Sequence, residues 1–283
     1  MLSSIEHIGS VGVGVTNPQF FRADDGKKYV VKLQNNRLGS KVLVNEFVAA
    51  QLGKIMGLCF PPSGIIEINE QTLRKSHSLI TPTIIPGRHF ASLYLENTEY
   101  LGKHNFSQII NTREMAGVML FDHMFHNADR ANNKRNLLIR QEEVGYRIYA
   151  IDNSHLFRSG RWTLESLNNL CTKTKIYYRY SFGMLLKDYL SPQDFLPYLE
   201  KVATIRNKDI ETIMEDIPHE WLPNKFERQG LAHHIIIRRD MSEKIWNTLC
   251  KYIPKTRGGS RWLYGRTIRS RHKPPLYPPF TCL

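Results

Sequence analysis

The residues best suited to chemistry fall in one stretch, Phe121 to Phe157, FDHMFHNADRANNKRNLLIRQEEVGYRIYAIDNSHLF. An apolar helical face (Met119, Leu120, Met124, Phe125) runs out into a polar loop, Asn127 to Asn136. Two short apolar runs follow, Leu137 to Ile139 and Tyr146 to Ile151, around a charged turn, which is the pattern of a β-hairpin. Asp129 sits on the loop before the hairpin and Asp152 closes it; Asn127, Arg130, Asn133 and Asn136 share the loop. A carboxylate on a loop, an amide downstream and a second carboxylate after a hairpin suit phosphoryl transfer. The first carboxylate orients an attacking hydroxyl, while the amide and the second carboxylate hold Mg²⁺ against phosphates. Asp and Asn are also ordinary turn residues, so this stretch alone leaves a purely structural loop open.

Such a set needs a cation to meet the phosphates, and the N-terminal third offers one. Gly9-Ser10-Val11-Gly12-Val13-Gly14 is a small-residue turn ahead of the strand-like Phe20 to Ala23. Asp25-Gly26 is a tight turn, and Lys28 to Leu33 forms the second strand of a hairpin. The glycine-bearing turn can present backbone N–H groups to phosphates, although its glycines do not follow G-x-G-x-x-G. In the second strand Tyr29, Val31 and Leu33 share one face and Lys28, Val30 and Lys32 the other. A helix from about Lys41 to Met56 follows, ended by Gly57, with Glu46 in its first half. A strand lysine paired with a helix glutamate positions α/β-phosphates in kinases; an edge-strand Lys32 and a surface Glu46 are the other possibility.

The remaining elements fill out this frame. Pro61-Pro62 breaks the chain, and strands are expected at Gly64 to Ile68 and Ser78 to Ile80, with a connector at Thr81 to Gly87. From about Ser92 the chain reads as helical: Phe106 to Ile110, Arg113 to His126, Leu164 to Leu170 and Tyr177 to Tyr189. A helix capped by Ser191-Pro192, then Lys208 to Ile217 and a long Phe226 to Ile253, complete it. The whole is an α+β chain, a small β-rich lobe followed by a larger α-rich lobe, with the chemical residues at the seam. His123 and His126, beside Asp122, lack further ligands at metal-site spacing and are expected to pack in the helical core.

Composition narrows the class. With 283 residues, 41% of them hydrophobic, the chain can bury a sizeable core. No apolar run approaches the twenty residues of a membrane span, no signal peptide is expected, and four scattered cysteines suit a reducing cytoplasm. The net charge of +13 favours anionic partners, and no acid follows Glu243 while eight Lys and Arg residues stand from Lys251 on. This basic tail can dock nucleic acid or an acidic partner, or simply keep the protein solvated. No zinc-finger, RNP-like or helix-turn-helix signature accompanies it.

FFRADDGKKYVVKLQNN, LVNEFVAAQLGKIMGLCFPP, HNADRANNKRNLLI and YAIDNSHLF occur in this order and resemble the HipA-like kinases, specifically the compact HipA-related family. The resemblance covers roughly residues 8 to 250. It implies a two-lobed protein-kinase-like fold related to the phosphatidylinositol kinases: a small lobe over 1–86, a helical lobe over 87–255 and an extension over 256–283. It further implies ATP and Mg²⁺ between the lobes and a Ser/Thr hydroxyl on a protein as acceptor, in a toxin-like or regulatory role. By position, Lys32 would contact the α/β-phosphates, Glu46 would hold it, and Ser10 and Gly12 would lie in the phosphate-side loop. Asp129 would be the catalytic aspartate, braced by Arg130. Asp152 would be the principal Mg²⁺ ligand with Asn136 as partner and Asn133 as fallback, and adenine would lie near Ile85. Ser10 also resembles a loop serine that such kinases autophosphorylate. The chain departs from the family pattern at Ala131, Lys134 and Asn153, where His, Asn and Gly are usual. The other acceptor class is a lipid or small molecule, and the other functional class is a nucleotide-binding pseudokinase module.

Overall fold

The computed structural model describes residues 1–75, 84–102 and 106–254, leaving aside the Tyr180 side chain. The expected strand at Ser78 to Ile80, part of the connector and the basic, proline-rich tail lie outside the described residues. Five strands close a barrel in the order β1-β2-β3-β5-β4: β1 (Leu2–Ser10), β2 (Gln19–Ala23), β3 (Lys28–Lys32), β4 (Ser63–Ile68) and β5 (Gly87–Leu93). Closure comes from a parallel pairing of Leu2 with Ile66 and Ser3 with Glu67. Strand β1 escapes prediction because register shifts at Ser4/Glu6 and His7/Gly9 break its alternation, and only Ser4 is buried.

The barrel is filled by the face predicted for β3. Tyr29, Val31 and Leu33 pack inward with Phe21, Ile66, Ile68 and Ala91, which turns Lys32 outward. Outside, α1 (Lys41–Met56) packs on β4 and β5 and ends at Gly57, whose φ of 64° places it in the left-handed region that glycine tolerates. This helix is buried nearly all round, because its other faces meet the helical part of the molecule.

A short α2 (Glu70–Arg74) follows β4. The helical region begins later than the sequence suggests. Strand β5 pairs with both β3 and β4, so the barrel continues past residue 86, and β6 (Thr98–Tyr100) joins a second sheet. Phe106 to Ile110 holds only one 3-10 turn, since Ile110 N–H bonds to Tyr146 O at 2.9 Å instead of continuing a helix. Helix α3 (Met115–Met124) leads to α4 (Ala128–Asn132), so the stretch expected as a loop is itself a short helix followed by a 3-10 turn, Lys134–Asn136. Strands β7 (Leu137–Glu142) and β8 (Gly145–Ala150) form the expected hairpin, and β6 adds to its edge.

The remaining helices are α5 (Leu164–Leu170), α6 (Tyr180–Met184), α7 (Leu196–Thr204), α8 (Asn207–Asp216), α9 (Lys225–Asp240) and α10 (Ser242–Cys250). The long segment expected from Phe226 is thus two helices broken at Met241, and Tyr177 to Tyr189 is helical only from Tyr180. A single apolar cluster runs through α1, α3, the hairpin and these helices. Among the described residues no helix is long and apolar enough to cross a membrane.

Candidate active site

The site is assembled where α1, α4 and the ends of the hairpin meet. Hairpin pairing sets Leu137 opposite Ala150, and Ile151 N–H donates to Asn136 O at 2.9 Å. The residue before β7 and the residue after β8 are thereby brought side by side: Asn136 and Asp152. Asp152 has φ 61°, a left-handed conformation uncommon for a non-glycine residue. Asn153 beside it does not have positive φ, so the glycine usual at that step has no conformational duty here.

Lys32 reaches from the barrel to Glu46, the carboxylate predicted for it, and to Asp152, which was not. Its Nζ hydrogen-bonds Glu46 Oε1 and lies 2.8 Å from Asp152 Oδ1. Glu46 also accepts the Asn153 backbone N–H at 3.0 Å, so the helix glutamate fixes both the lysine and the segment carrying Asp152. Burial disfavours the charged form of Lys32, but the charges of Asp152 and Glu46 outweigh it and hold the ammonium above its ordinary pKa. Burial likewise opposes ionisation of Asp152, and is overcome by Lys32 and by hydrogen bonds from Ser154; Asp152 is held far below the usual carboxylate range. Glu46 is raised, because its burial outweighs the attraction of Lys32 and Asp152 adds to the rise.

Asp129 lies in the first turn of α4, and Asn136 Nδ2 donates to its Oδ2 at 2.6 Å. Asn133 donates from Nδ2 to Asn136 Oδ1 at 3.1 Å and uses its own oxygen to accept the Arg135 N–H. Both ends of Asn133 are therefore engaged in shaping the turn, while Asn136 Oδ1 keeps a second lone pair. Asp152 is 37% exposed, so its carboxylate faces solvent on one side. A carboxylate and an amide oxygen are the hard donors Mg²⁺ takes when phosphates complete its shell. Among the described residues no group of three His, Cys, Asp or Glu side chains could hold an ion unaided.

Arg130 is buried and ties this assembly from behind. Its guanidinium pairs with Asp122 of α3, and reaches Ile151 O at 3.2 Å, Asp152 O at 3.4 Å and Asn153 Oδ1 at 2.6 Å. Desolvation pushes the Asp122 carboxyl up to about 6 despite Arg130. Asp122 was weighed in the sequence only as a neighbour of two histidines; its signal was a lone acid in the apolar run MAGVMLFDHM. Asn45, next to Glu46, was missed too: Nδ2 donates to Ser154 O at 2.8 Å and Oδ1 accepts from Trp162 Nε1 at 2.9 Å. An amide inside an apolar helix was the available clue. His155 is a third omission, its Nδ1 3.9 Å from Asp129 Oδ2.

The other predicted residues sit farther out along the barrel. Register sets Ser10 opposite Gln19 and Gln19 opposite Val31, so the Ser10–Gly12 turn lies at the Lys32 end of the sheet. Ser10 Oγ accepts the Gly12 N–H at 3.1 Å. Ile85 is half-buried, and its carbonyl accepts from His89 Nε2, whose Nδ1 takes the Gln34 N–H. His123 and His126 are buried and hydrogen-bonded within the helical core, as packing residues should be.

The family model for the HipA-like kinases matches residues 5–249. The chain belongs to the HipA-like kinase family. Among solved structures, the Helicobacter pylori proinflammatory kinase CtkA aligns with a TM-score of 0.56 at 12% identity, over 89% of this chain and 98% of that one. Hydra Fam20, solved with sugar, aligns with a TM-score of 0.54 at 13% identity, over 89% and 88%. At these identities the likeness concerns the fold, which is kinase-like. No curated protein sequence matches the chain.

Proposed function

We propose that the protein transfers the γ-phosphate of ATP to a serine or threonine hydroxyl, on a protein acceptor, with Mg²⁺ as cofactor. The observation that carries this reading is Lys32 lodged between Glu46 and Asp152 while Asn136 holds Asp129. On this reading the barrel with α1 and the helical remainder act as two lobes, meeting at that cluster. Lys32 contacts the α/β-phosphates, with Glu46 fixing its direction. Asp129 accepts a hydrogen bond from the acceptor hydroxyl and aligns it for in-line attack, and the Asn136 amide keeps its carboxylate in one orientation. Asp152 and the free lone pair of Asn136 would hold Mg²⁺, which when bound would neutralise phosphate charge. The Ser10–Gly12 turn covers the phosphates, and Ile85 borders the adenine. Arg130 braces the segment after β8 so that Asp152 keeps its position.

The test is incubation of purified protein with γ-labelled ATP and Mg²⁺, beside Asp129→Asn and Asp152→Ala, with protein and lipid fractions as acceptors. Label on protein that both variants lose supports the reading. Label on lipid alone moves the acceptor to another class. Mg-ATP protection against unfolding without any transfer leaves a pseudokinase. Neither label nor nucleotide binding would sink it.

A further inference from the structure

A cavity of about 460 Å³ opens against α4. Ala128, Ala131 and Asn132 form one wall; at positions i, i+3 and i+4 they share one face of that short helix. Asp129 is one residue round from this face, at about 100°, and Arg130 points away into the core. The cavity therefore lies at the flank of the proposed catalytic carboxylate.

Its opposite wall is cationic. Arg158, Lys175 and Arg179 line it with Ile176, Tyr177 and Tyr178, and no acid is present in the lining. All three cations are exposed, and among the described residues none of their side chains has an ion pair or a hydrogen bond. Elsewhere on the surface Arg22, Arg88, Arg147 and Arg206 are each matched by a carboxylate. Three unmatched cations around one concavity define a site for negative charge.

The wall is built rather than loose. Residues 173 to 179 contain neither helix nor strand, yet buried side chains pin them. Arg238, wholly buried, donates to Cys171 O at 2.9 Å and Lys173 O at 2.8 Å while also holding Met124 O and His123 O at the end of α3. The Tyr177 backbone N–H donates to His123 Nε2 at 2.9 Å, and Tyr177 Oη lies 3.2 Å from His126 Nδ1. On the other side Phe157 and Arg158 both adopt left-handed backbone, with φ of 57° and 66°. Two consecutive non-glycine residues in that region are strained, and such strain persists where the surroundings fix a side chain in place.

We infer that this cavity receives an anionic side chain of a polypeptide acceptor, a glutamate or aspartate carboxylate or a phosphorylated serine, close in sequence to the hydroxyl presented to Asp129. Lys175 and Arg179 meet the charge and Tyr178 packs on the peptide beside it. The inference rests on the phosphotransferase reading for the identity of the hydroxyl, but the anion site has its own assay.

The experiment uses three serine peptides, flanked by Glu, by phosphoserine or by Gln, with wild type and the double variant Lys175→Gln/Arg179→Gln. Fluorescence anisotropy without nucleotide reads binding, and label transfer from γ-labelled ATP reads turnover. The wild type should bind one or both anionic peptides about tenfold more tightly than the Gln peptide, and phosphorylate them with a correspondingly lower KM. The double variant should lose that preference while retaining its protection by Mg-ATP. The Glu and phosphoserine arms separate the two kinds of anion. Equal binding of all three peptides, or a preference that survives in the double variant, overturns the inference. So does a single-stranded RNA that displaces the peptides and loses its own binding in the same variant. Anionic binding lost in the variant, with no turnover of any peptide by wild type, keeps the cavity's assignment and removes the phosphotransferase reading instead.

Discussion

Lys32 Nζ lies 2.8 Å from Asp152 Oδ1, although the two residues are separated by 120 positions in the chain. The lysine comes from a barrel strand and the aspartate from the segment after β8, so their pairing couples the two sheets through side chains. Glu46 completes the coupling from α1 by binding both Lys32 and the Asn153 N–H. Loss of any one of the three leaves the others incorrectly balanced.

Lys32→Met therefore has two effects. It removes the proposed phosphate contact, and the phosphotransfer rate should fall on the order of 10²-fold or more. It also strands Glu46, which is almost wholly buried, at a cost of about 3 kcal/mol in unfolding free energy. The double variant Lys32→Met/Glu46→Gln should recover most of that stability and none of the activity. Chemical denaturation beside a rate assay checks both, and a double variant no more stable than Lys32→Met would show that Glu46 is not the stranded charge.

The two asparagines should separate cleanly. Asn136→Ala frees Asp129 from its hydrogen bond and removes the oxygen proposed to hold Mg²⁺. The Mg²⁺ concentration for half-maximal rate should rise about 10-fold or more. Asn133→Ala removes the cap on Arg135 N–H, so it should cost about 1 kcal/mol of stability with a smaller change in Mg²⁺ dependence. A larger Mg²⁺ effect at Asn133 would reverse the assignment.

Much of this arrangement was legible because the relevant signals are local. The alternation of Tyr29, Val31 and Leu33 against Lys32 gave the outward lysine, and Gly57 gave the end of α1. The order of Asp129, Asn136, a hairpin and Asp152 placed together the side chains that the hairpin brings side by side. What stayed hidden depends on tertiary partners. Strand β5 carries Arg88 and His89 and reads as polar, yet His89 is buried and satisfied by Ile85 O and Gln34 N–H. Strand β1 loses its period at two bulges. The contacts of Arg130 with Asp122 and Asn153 span 8 and 23 residues without a periodic relation, so no pattern could reveal them.

Arg130 gives the third prediction. Arg130→Leu leaves Asp122 without its cation in the core and frees the carbonyls of Ile151 and Asp152, and should cost about 3–5 kcal/mol. Asp122→Asn keeps an oxygen for the guanidinium but leaves the positive charge unbalanced, so it should be destabilising by less. If Arg130 acts by bracing Asp152, the Arg130→Leu/Asp122→Leu pair should regain stability relative to Arg130→Leu while remaining slow. A pair that regains the wild-type rate would remove the bracing role.

The last prediction concerns pH. Burial lowers His89, His123 and His234 to about 4 and His126 to about 3, below the ordinary histidine value near 6.5. The unfolded chain therefore binds more protons than the folded one between those limits. Stability is fully present above about pH 6.5 and is lost as pH falls toward 4. Asp122 works in the opposite sense: raised to about 6 by burial, it favours the folded state at low pH and loses that contribution as pH rises from its ordinary 3.8 through 6. Glu46, also raised by burial, acts in the same sense as Asp122; four histidines against these two carboxyls leave the acid side weaker, so the midpoint of thermal unfolding should fall between pH 7 and pH 5. His123 is the sharpest probe, since Nδ1–H donates to Met119 O and Nε2 accepts from Tyr177 N–H, which fixes it as a neutral tautomer. His123→Gln retains a donor and an acceptor but cannot take a proton, and should reduce the change in stability over that interval by about 2 kcal/mol. A variant with the wild-type slope would show that His123 gains no proton on unfolding in this range, and would place the acid sensitivity on His89, His126 and His234.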